Sequence, residues 1–168
     1  QRQMCIRDSF GAVAANARLQ RLDVEKTATA IAIAASMAAG IKANFGTFTK
    51  PFHVGQCTKN GLLAVRTADS GLTASPVALE GQQGFFEVYN GEGNYDATRL
   101  LEGWGAPFEI VDPGIAVKLY PCCGSTHPAV DDAIALKREH NLQLSDIESV
   151  LSWTHPRRLK HTNRPRVY

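Results

Sequence analysis

Lys50 and His53 are the first residues whose types and spacing suggest chemistry. They stand three positions apart in the segment 46–53 (GTFTKPFH). Pro51, between them, suits the first position of a helix because its missing N–H costs nothing there. The pattern therefore predicts a helix that begins at Pro51, with Lys50 as its N-cap and His53 in its first turn. Unpaired backbone N–H groups and the positive end of the helix dipole favour an anion at such a point.

This arrangement predicts a carboxylate-binding site with a proton-transfer group beside it. The ammonium group of Lys50 attracts the anion, and the imidazole of His53 is a candidate acid or base. The alternative interpretation is structural: a solvated lysine at the helix start and a histidine that is exposed or packed against the helix.

A second set of candidate residues occupies the segment 118–128 (KLYPCCGSTHP). Lys118 lies in a β-rich stretch, and Cys123 and His127 follow in a turn that leads into another predicted helix. Ligand clefts often form where two domains meet, so both segments together would offer two lysines and two histidines to one anion. Lys118 alone is equally well explained as a solvated lysine, and His127 suits a helix cap better than a catalyst.

A metal site is a further alternative, formed by Cys122, Cys123 and His127. Adjacent cysteines rarely bind one zinc ion, and the sequence has no second Cys-x-x-Cys or histidine pair to complete four ligands. Cys123 as a nucleophile would need a base that the sequence does not identify. We therefore do not predict a metal site from these residues.

The composition is that of an ordinary soluble globular protein and argues against several functions. Of the 168 residues, 44% are hydrophobic and 20% charged, and the net charge of +2 is too small to indicate nucleic-acid or membrane partners. No apolar run approaches the ~20 residues that span a bilayer. Four cysteines without regular spacing predict a reducing, cytoplasmic location. The basic segment 160–166 has no interleaved aromatic residues, so a solvated loop explains it better than a nucleic-acid site does. The glycines of segment 80–86 lack the Gly-Lys-Ser/Thr ending of a phosphate loop, so we do not predict one there.

The pattern of apolar residues predicts a mostly α protein with an α+β part. Three predicted helices form part of a helical-bundle domain over residues 10–106, and the start of an α+β lid domain follows over residues 107–168. Residues 1–9 show neither helical nor strand periodicity, so we expect them to be a non-native leader. The predicted helices cover residues 10–20, 24–39, 51–69 and 128–140, and the predicted strands cover 108–111, 115–120 and 150–154.

With these residues in place, the sequence resembles the MmgE/PrpD family, which includes 2-methylcitrate dehydratase and cis-aconitate decarboxylase. The resemblance spans about residues 10–166. It rests on four motifs: G-T-x-T-K-P-x-H-x-G from Gly46, Asn-Gly at 60–61, L-E-G-x-x-G-F from Leu79, and K-x-Y-P-C from Lys118 with His-Pro at 127–128.

The resemblance implies a large helical domain and a smaller α+β lid, with a cofactor-free active site between them. It supports Lys50, His53 and Lys118 as catalytic residues. We expect both lysines also to bind substrate, with Cys123 and His127 as further contacts. The lysines would neutralise substrate carboxylates and stabilise the enolate-like charge that forms when a proton leaves. Family members are more than twice this length and commonly dimeric, so we expect a fragment of a homodimeric protein that is inactive alone.

The function expected on this basis is a lyase for a small di- or tricarboxylic acid, most simply a 2-methylcitrate dehydratase-like hydro-lyase. The resemblance implies a histidine at about the position of Cys123 in the decarboxylase members, so the cysteine favours a hydro-lyase, or a related lyase or isomerase, over a decarboxylase. Segment 56–58 (QCT) is a milder departure, because small alanines are usual there. The alternatives are a non-catalytic carboxylate-binding or interaction module derived from the family, or a metal-binding module.

Overall fold

The structure is a computed structural model, and it describes residues 4–162. Within this range the chain forms six α-helices, four short 3₁₀ helices and no β-strand. None of these helices is long and apolar enough to cross a membrane. The α-helices are α1 (Met4–Gln20), α2 (Val24–Met37), α3 (Thr49–Asp69), α4 (Phe85–Asn90), α5 (His127–Glu139) and α6 (Pro156–Thr162). The 3₁₀ helices are Lys42–Asn44, Ala97–Leu101, Gly124–Thr126 and Leu144–Asp146.

The chain divides into two compact units, of which the first ends at Glu102 and the second begins at Gly103. In the first unit, α1, α2 and α3 pack against one another in all three pairs. This confirms the predicted helical bundle. Its core is built mainly from small residues, which let the helix backbones approach closely: Val13, Ala17, Ala30, Ala34, Ala64, Val65 and Ala68.

Helix α2 begins as its sequence indicates. The Asp23 carboxylate accepts a hydrogen bond from the Lys26 backbone N–H at 2.7 Å, which satisfies one of the unpaired donors of the first turn. The helix ends at Met37, slightly before the predicted end at residue 39. It buries a face of four alanines, and its isoleucines are only partly covered.

Helix α1 begins earlier than its sequence pattern suggests, at Met4 instead of residue 10. The reason is visible in its buried stripe, which consists of Ser9, Val13 and Ala17 at intervals of four residues. A serine at the first of these positions hides the apolar periodicity. The absence of helical structure predicted for residues 1–9 is therefore wrong from Met4 onwards, while their non-native origin stays a prediction.

The second unit differs from the α+β prediction, because its described residues contain no strand. Residues 108–114 form a turn instead, closed by hydrogen bonds from Val111 N–H to the Phe108 carbonyl and from Gly114 N–H to the Glu109 carbonyl. Residues 114–118 and 149–155 run without regular structure. Strands exist through pairing, and these segments have no paired neighbour among the described residues. The predicted apolar face, Ile115, Val117 and Leu119, is accordingly exposed.

Candidate functional site

Lys50 and His53 lie in the first two turns of α3, but the helix starts earlier than predicted. It begins at Thr49 with Phe48 as the N-cap, so Lys50 is the second helical residue and not the cap. The Thr47 hydroxyl supplies the capping oxygen, since it accepts a hydrogen bond from the Thr49 N–H at 3.2 Å.

The backbone at this helix start is not available to an anion. The Thr49 N–H donates to the Thr47 hydroxyl, the Lys50 N–H to the Thr47 carbonyl at 3.1 Å, and the Phe52 N–H to the Phe48 carbonyl at 3.3 Å. Pro51, which lies between them, has no N–H. The expectation of unpaired N–H groups here is therefore wrong. The group that remains for an anion is the Lys50 ammonium, which is exposed and lies 5.2 Å from the centre of the Phe45 ring.

His53 lies at the wall of a cavity of about 310 Å³. Two polar neighbours in this wall are already engaged: the Gln56 amide donates to Asn60 Oδ1 at 2.8 Å, and the Asn60 amide donates to the Met37 carbonyl at 3.1 Å. By contrast, His53 Nδ1 is buried without a hydrogen-bond partner among the described residues. Such groups are uncommon and call for an explanation. The cavity is lined by Met37, Ala39, Gly40, Ile41, Phe52, His53, Gln56, Cys57 and Asn60.

In the second unit, Lys118 is exposed and closes a tight turn. Its ammonium donates a hydrogen bond to the Cys122 carbonyl at 2.9 Å. The Cys122 N–H donates to the Tyr120 carbonyl at 2.8 Å within the same turn. Lys118 therefore lies in the irregular segment just before the bend of residues 119–122 and not in a strand, and its ammonium is held at the Cys122 carbonyl.

Cys123 and His127 follow directly. The Thr126 hydroxyl donates to the Cys123 carbonyl at 2.7 Å, and the same oxygen lies 3.1 Å from Cys122 Sγ. His127 is the first residue of α5, with Thr126 as the N-cap, so the histidine is not the cap that its position suggests. Its Nε2 is buried and has no hydrogen-bond partner within the described part of the chain.

Tyr120 is a participant that sequence reasoning did not single out. Its hydroxyl donates a hydrogen bond to the Asp131 carboxylate, and this bond raises the pKa of the phenol above its ordinary value. Its ring meets the His127 ring edge-on, with 5.1 Å between the ring centres. The available signal was the K-x-Y-P-C motif together with an aspartate in the first turns of the next helix.

The structure thus gathers the candidate residues into two groups, one in each unit. Lys50 and His53 share the start of α3, while Lys118, Cys123 and His127 share the turn that precedes α5. Within residues 4–162, no group of three histidine, cysteine or acidic side chains is arranged to hold a metal ion. A second cavity, of about 400 Å³, lies where α5, α6 and residues 152–154 meet.

Comparison with known proteins gives matches in both units. The MmgE/PrpD N-terminal domain matches residues 5–98, which include Lys50 and His53. The MmgE/PrpD C-terminal domain matches residues 120–167, which include Cys123 and His127. Lys118 lies two residues before that second match.

Similar curated proteins are cis-aconitate decarboxylases. The Homo sapiens protein is 33% identical over 132 residues, which is 79% of this chain and 27% of that protein. The Mus musculus protein is 31% identical over 130 residues, 77% of this chain and 26% of that protein. An Aspergillus terreus protein is 30% identical over 132 residues, 75% of this chain and 26% of that protein.

The chain therefore spans about a quarter of the length of these relatives. Because both domains of the family are matched in order, and the first match alone covers more than half of the chain, the chain belongs to the MmgE/PrpD family.

Proposed function

We propose that this chain is part of a cofactor-independent lyase that acts on a small di- or tricarboxylic acid. The observation that carries the proposal is the placement of an exposed ammonium, Lys50, and an imidazole with an unsatisfied nitrogen, His53, one turn apart in the part of the chain that matches the N-terminal family domain. Lysine binds carboxylates as a point charge, and histidine is the commonest general acid or base.

The two lysines would act through charge. Lys50 and Lys118 would each neutralise a substrate carboxylate, which also stabilises the negative charge that spreads onto that carboxylate when a bond to the adjacent carbon breaks. The present partner of the Lys118 ammonium, the Cys122 carbonyl, is neutral. A carboxylate is a stronger acceptor for an ammonium than a neutral carbonyl, so a bound substrate would compete well for this group. His53 would move the proton, and Cys123 and His127 would contact the substrate.

The preferred reaction within this class is loss of water from a 2-methylcitrate-like substrate. The family resemblance supports it, because it implies a histidine at about the position of Cys123 in the decarboxylase members, and a thiol is a weaker acid–base group than an imidazole near neutral pH. Decarboxylation is the second candidate, favoured by the curated relatives, which are named cis-aconitate decarboxylases.

Assays on the complete protein that contains this chain separate these reactions. With 2-methylcitrate, a hydro-lyase forms an unsaturated acid that is followed by its ultraviolet absorbance. With cis-aconitate, a decarboxylase releases carbon dioxide. Lys50→Ala and Lys118→Ala should each lower kcat/KM by ~10²–10³-fold, as expected for loss of a charge-stabilising group. Lys59→Ala, an exposed lysine on the same helix as Lys50, is the matched control.

The results also decide whether the protein is an enzyme at all. Turnover of either acid that survives both lysine substitutions would overturn the site assignment. Binding of citrate that is lost in Lys50→Ala, without turnover of any di- or tricarboxylic acid, would indicate a carboxylate-binding module instead.

The remaining architecture of the complete protein belongs to the same proposal. We expect residues 10–106 to be part of its helical domain and residues 107–168 to begin an α+β lid, in which the extended segments find strand partners. We also expect a cytoplasmic homodimer. Light scattering during size-exclusion chromatography tests the dimer, and a monomer at micromolar concentration would contradict it.

A further inference from the structure

We infer that Tyr120 is a positioning residue for the site: its hydroxyl anchors the turn of residues 118–127 to helix α5 through Asp131, while its ring restrains the His127 imidazole. The effect on catalysis rests on the proposed function, because this turn carries Lys118, Cys123 and His127. The anchoring itself is a structural property and can be tested without any substrate.

The hydrogen bonds inside the turn are local. The Lys118 ammonium reaches the Cys122 carbonyl four residues on, and the Thr126 hydroxyl reaches the Cys123 carbonyl three residues back. Bonds of this kind define the shape of the turn. These two bonds end at or before Thr126, the N-cap of α5.

The bond between Tyr120 and Asp131 spans more of the chain than these two local bonds do. It joins residues eleven positions apart and connects the middle of the turn to the second turn of α5. A hydrogen bond to an ionised carboxylate is stronger than one between neutral groups. It is therefore well suited to hold the turn in one orientation.

The ring of Tyr120 adds a second restraint on the same side of the helix. His127 and Asp131 are four residues apart on α5, so their side chains lie on one face of it. Tyr120 contacts both, with its hydroxyl on the carboxylate and its ring edge-on to the imidazole at 5.1 Å. An edge-on pair of rings favours one orientation of the imidazole plane, and with it one direction of the buried Nε2.

These contacts favour a positioning role for Tyr120 over a role as proton donor to substrate. Its hydroxyl proton is already committed to Asp131. Its contribution is to hold the ammonium, thiol and imidazole of the turn in one arrangement. Small displacements of reacting groups cost up to roughly 100-fold in rate, so loss of the anchor should be visible in kinetics.

Two nearly isosteric variants of the complete protein test the inference: Tyr120→Phe, which keeps the ring, and Asp131→Asn, which removes the charge. Tyr95→Phe is the matched control, because it removes a hydroxyl whose hydrogen bond to the Glu80 carbonyl, at 3.4 Å, lies in the first unit. Circular dichroism verifies that each variant is folded.

The first readout is the rate at which iodoacetamide alkylates the half-buried Cys122, followed by peptide mass spectrometry. If the turn loosens, alkylation of Cys122 should become severalfold faster in both single variants and no faster still in the double variant. The buried Cys57 of α3 should be alkylated at the same rate in all of these proteins. Unchanged alkylation of Cys122 in both single variants would overturn the anchor.

The second readout is steady-state kinetics. Both variants should show the same fold-decrease in kcat/KM, and the Tyr95→Phe control should show no decrease. If the protein turns over no di- or tricarboxylic acid but alkylation is faster in the variants, the anchoring role is supported and the proposed function is contradicted. If turnover and alkylation are both unchanged in the two variants, the proposed enzyme function stands and the anchoring role of Tyr120 is contradicted.

Discussion

Gly61 of α3 crosses α1 directly over Ala12, so closely that a Cβ atom at Gly61 would lie 2.5 Å from the Ala12 Cβ. The same Cβ would lie 3.1 Å from the Ala12 carbonyl carbon and from the Val13 nitrogen. These are backbone atoms, which cannot move aside as the end of a flexible side chain can. The contact between these two residues sets how near α3 approaches α1, and therefore supports the helix that begins with Lys50 and His53.

Replacement of Gly61 by alanine should therefore destabilise the protein by about 1–3 kcal/mol, the usual cost of overpacking a close contact. Gly55→Ala on the same helix is the matched control, because a Cβ there meets no atom within 4 Å. Alanine is the better helix former by roughly 0.5–1 kcal/mol, so this control should stabilise the protein. The measurement is the free energy of unfolding in urea. Equal effects of the same sign at both glycines would contradict the proposed crossing.

The phenol of Tyr120 should ionise above its ordinary pKa of 10.0, because its proton is shared with the Asp131 carboxylate. The positive charge of Arg138 opposes this shift in part. A raised pKa in the folded state means that the contribution of Tyr120 to stability is complete below pH 10.0 and is lost as the pH rises through the folded-state pKa.

The measurement is the phenolate absorbance of the wild-type protein minus that of Tyr120→Phe, followed through alkaline pH. In Asp131→Asn the difference curve should move to lower pH, because the carboxylate that raises the pKa is gone. A wild-type curve that coincides with that of Asp131→Asn would show that the phenol and the carboxylate do not interact in solution.

Sequence reasoning succeeded where the determining contacts are local. The cap of α2 is such a contact, because the Asp23 carboxylate accepts from the backbone only three residues on. The position of α5 was predicted within one residue at each end, from a proline at its start and basic residues in its last turn. In the same way, the small-residue pattern of α2 indicated a closely packed bundle. Such features need no knowledge of the rest of the fold.

Sequence reasoning failed where the local structure depends on a competing hydrogen-bond partner or on a residue far along the chain. Pro51 suggested a helix start, but the Thr47 hydroxyl caps a helix that begins two residues earlier, at Thr49. The other N–H groups assigned to an anion, those of Lys50 and Phe52, are bonded to the carbonyls of Thr47 and Phe48. The alternation from residue 115 to 120 suggested a strand, yet a strand needs a neighbour to pair with. Tyr120 was part of the K-x-Y-P-C motif, but the motif alone does not identify its partner Asp131, which lies eleven residues further along the chain.

His53 offers the sharpest test of the candidate site, since it is a potential proton-transfer group whose cavity neighbours are already hydrogen-bonded to each other. In the complete protein, His53→Gln should lower kcat by ~10²–10⁴-fold, the usual contribution of a general acid or base, and leave KM nearly unchanged. Gln56→Leu is the matched control, because it alters the same cavity wall and breaks only the bond to Asn60.

Comparison of the two variants separates chemistry from packing. If His53 moves a proton, its replacement alone removes one limb of the pH–rate profile, while the Gln56 variant keeps the shape of the profile. If His53 merely fills the cavity, both variants should lose stability and keep most of their kcat. If a folded His53→Gln protein keeps the wild-type kcat, His53 does not take part in the mechanism. The lysines would then be the functional groups of the site.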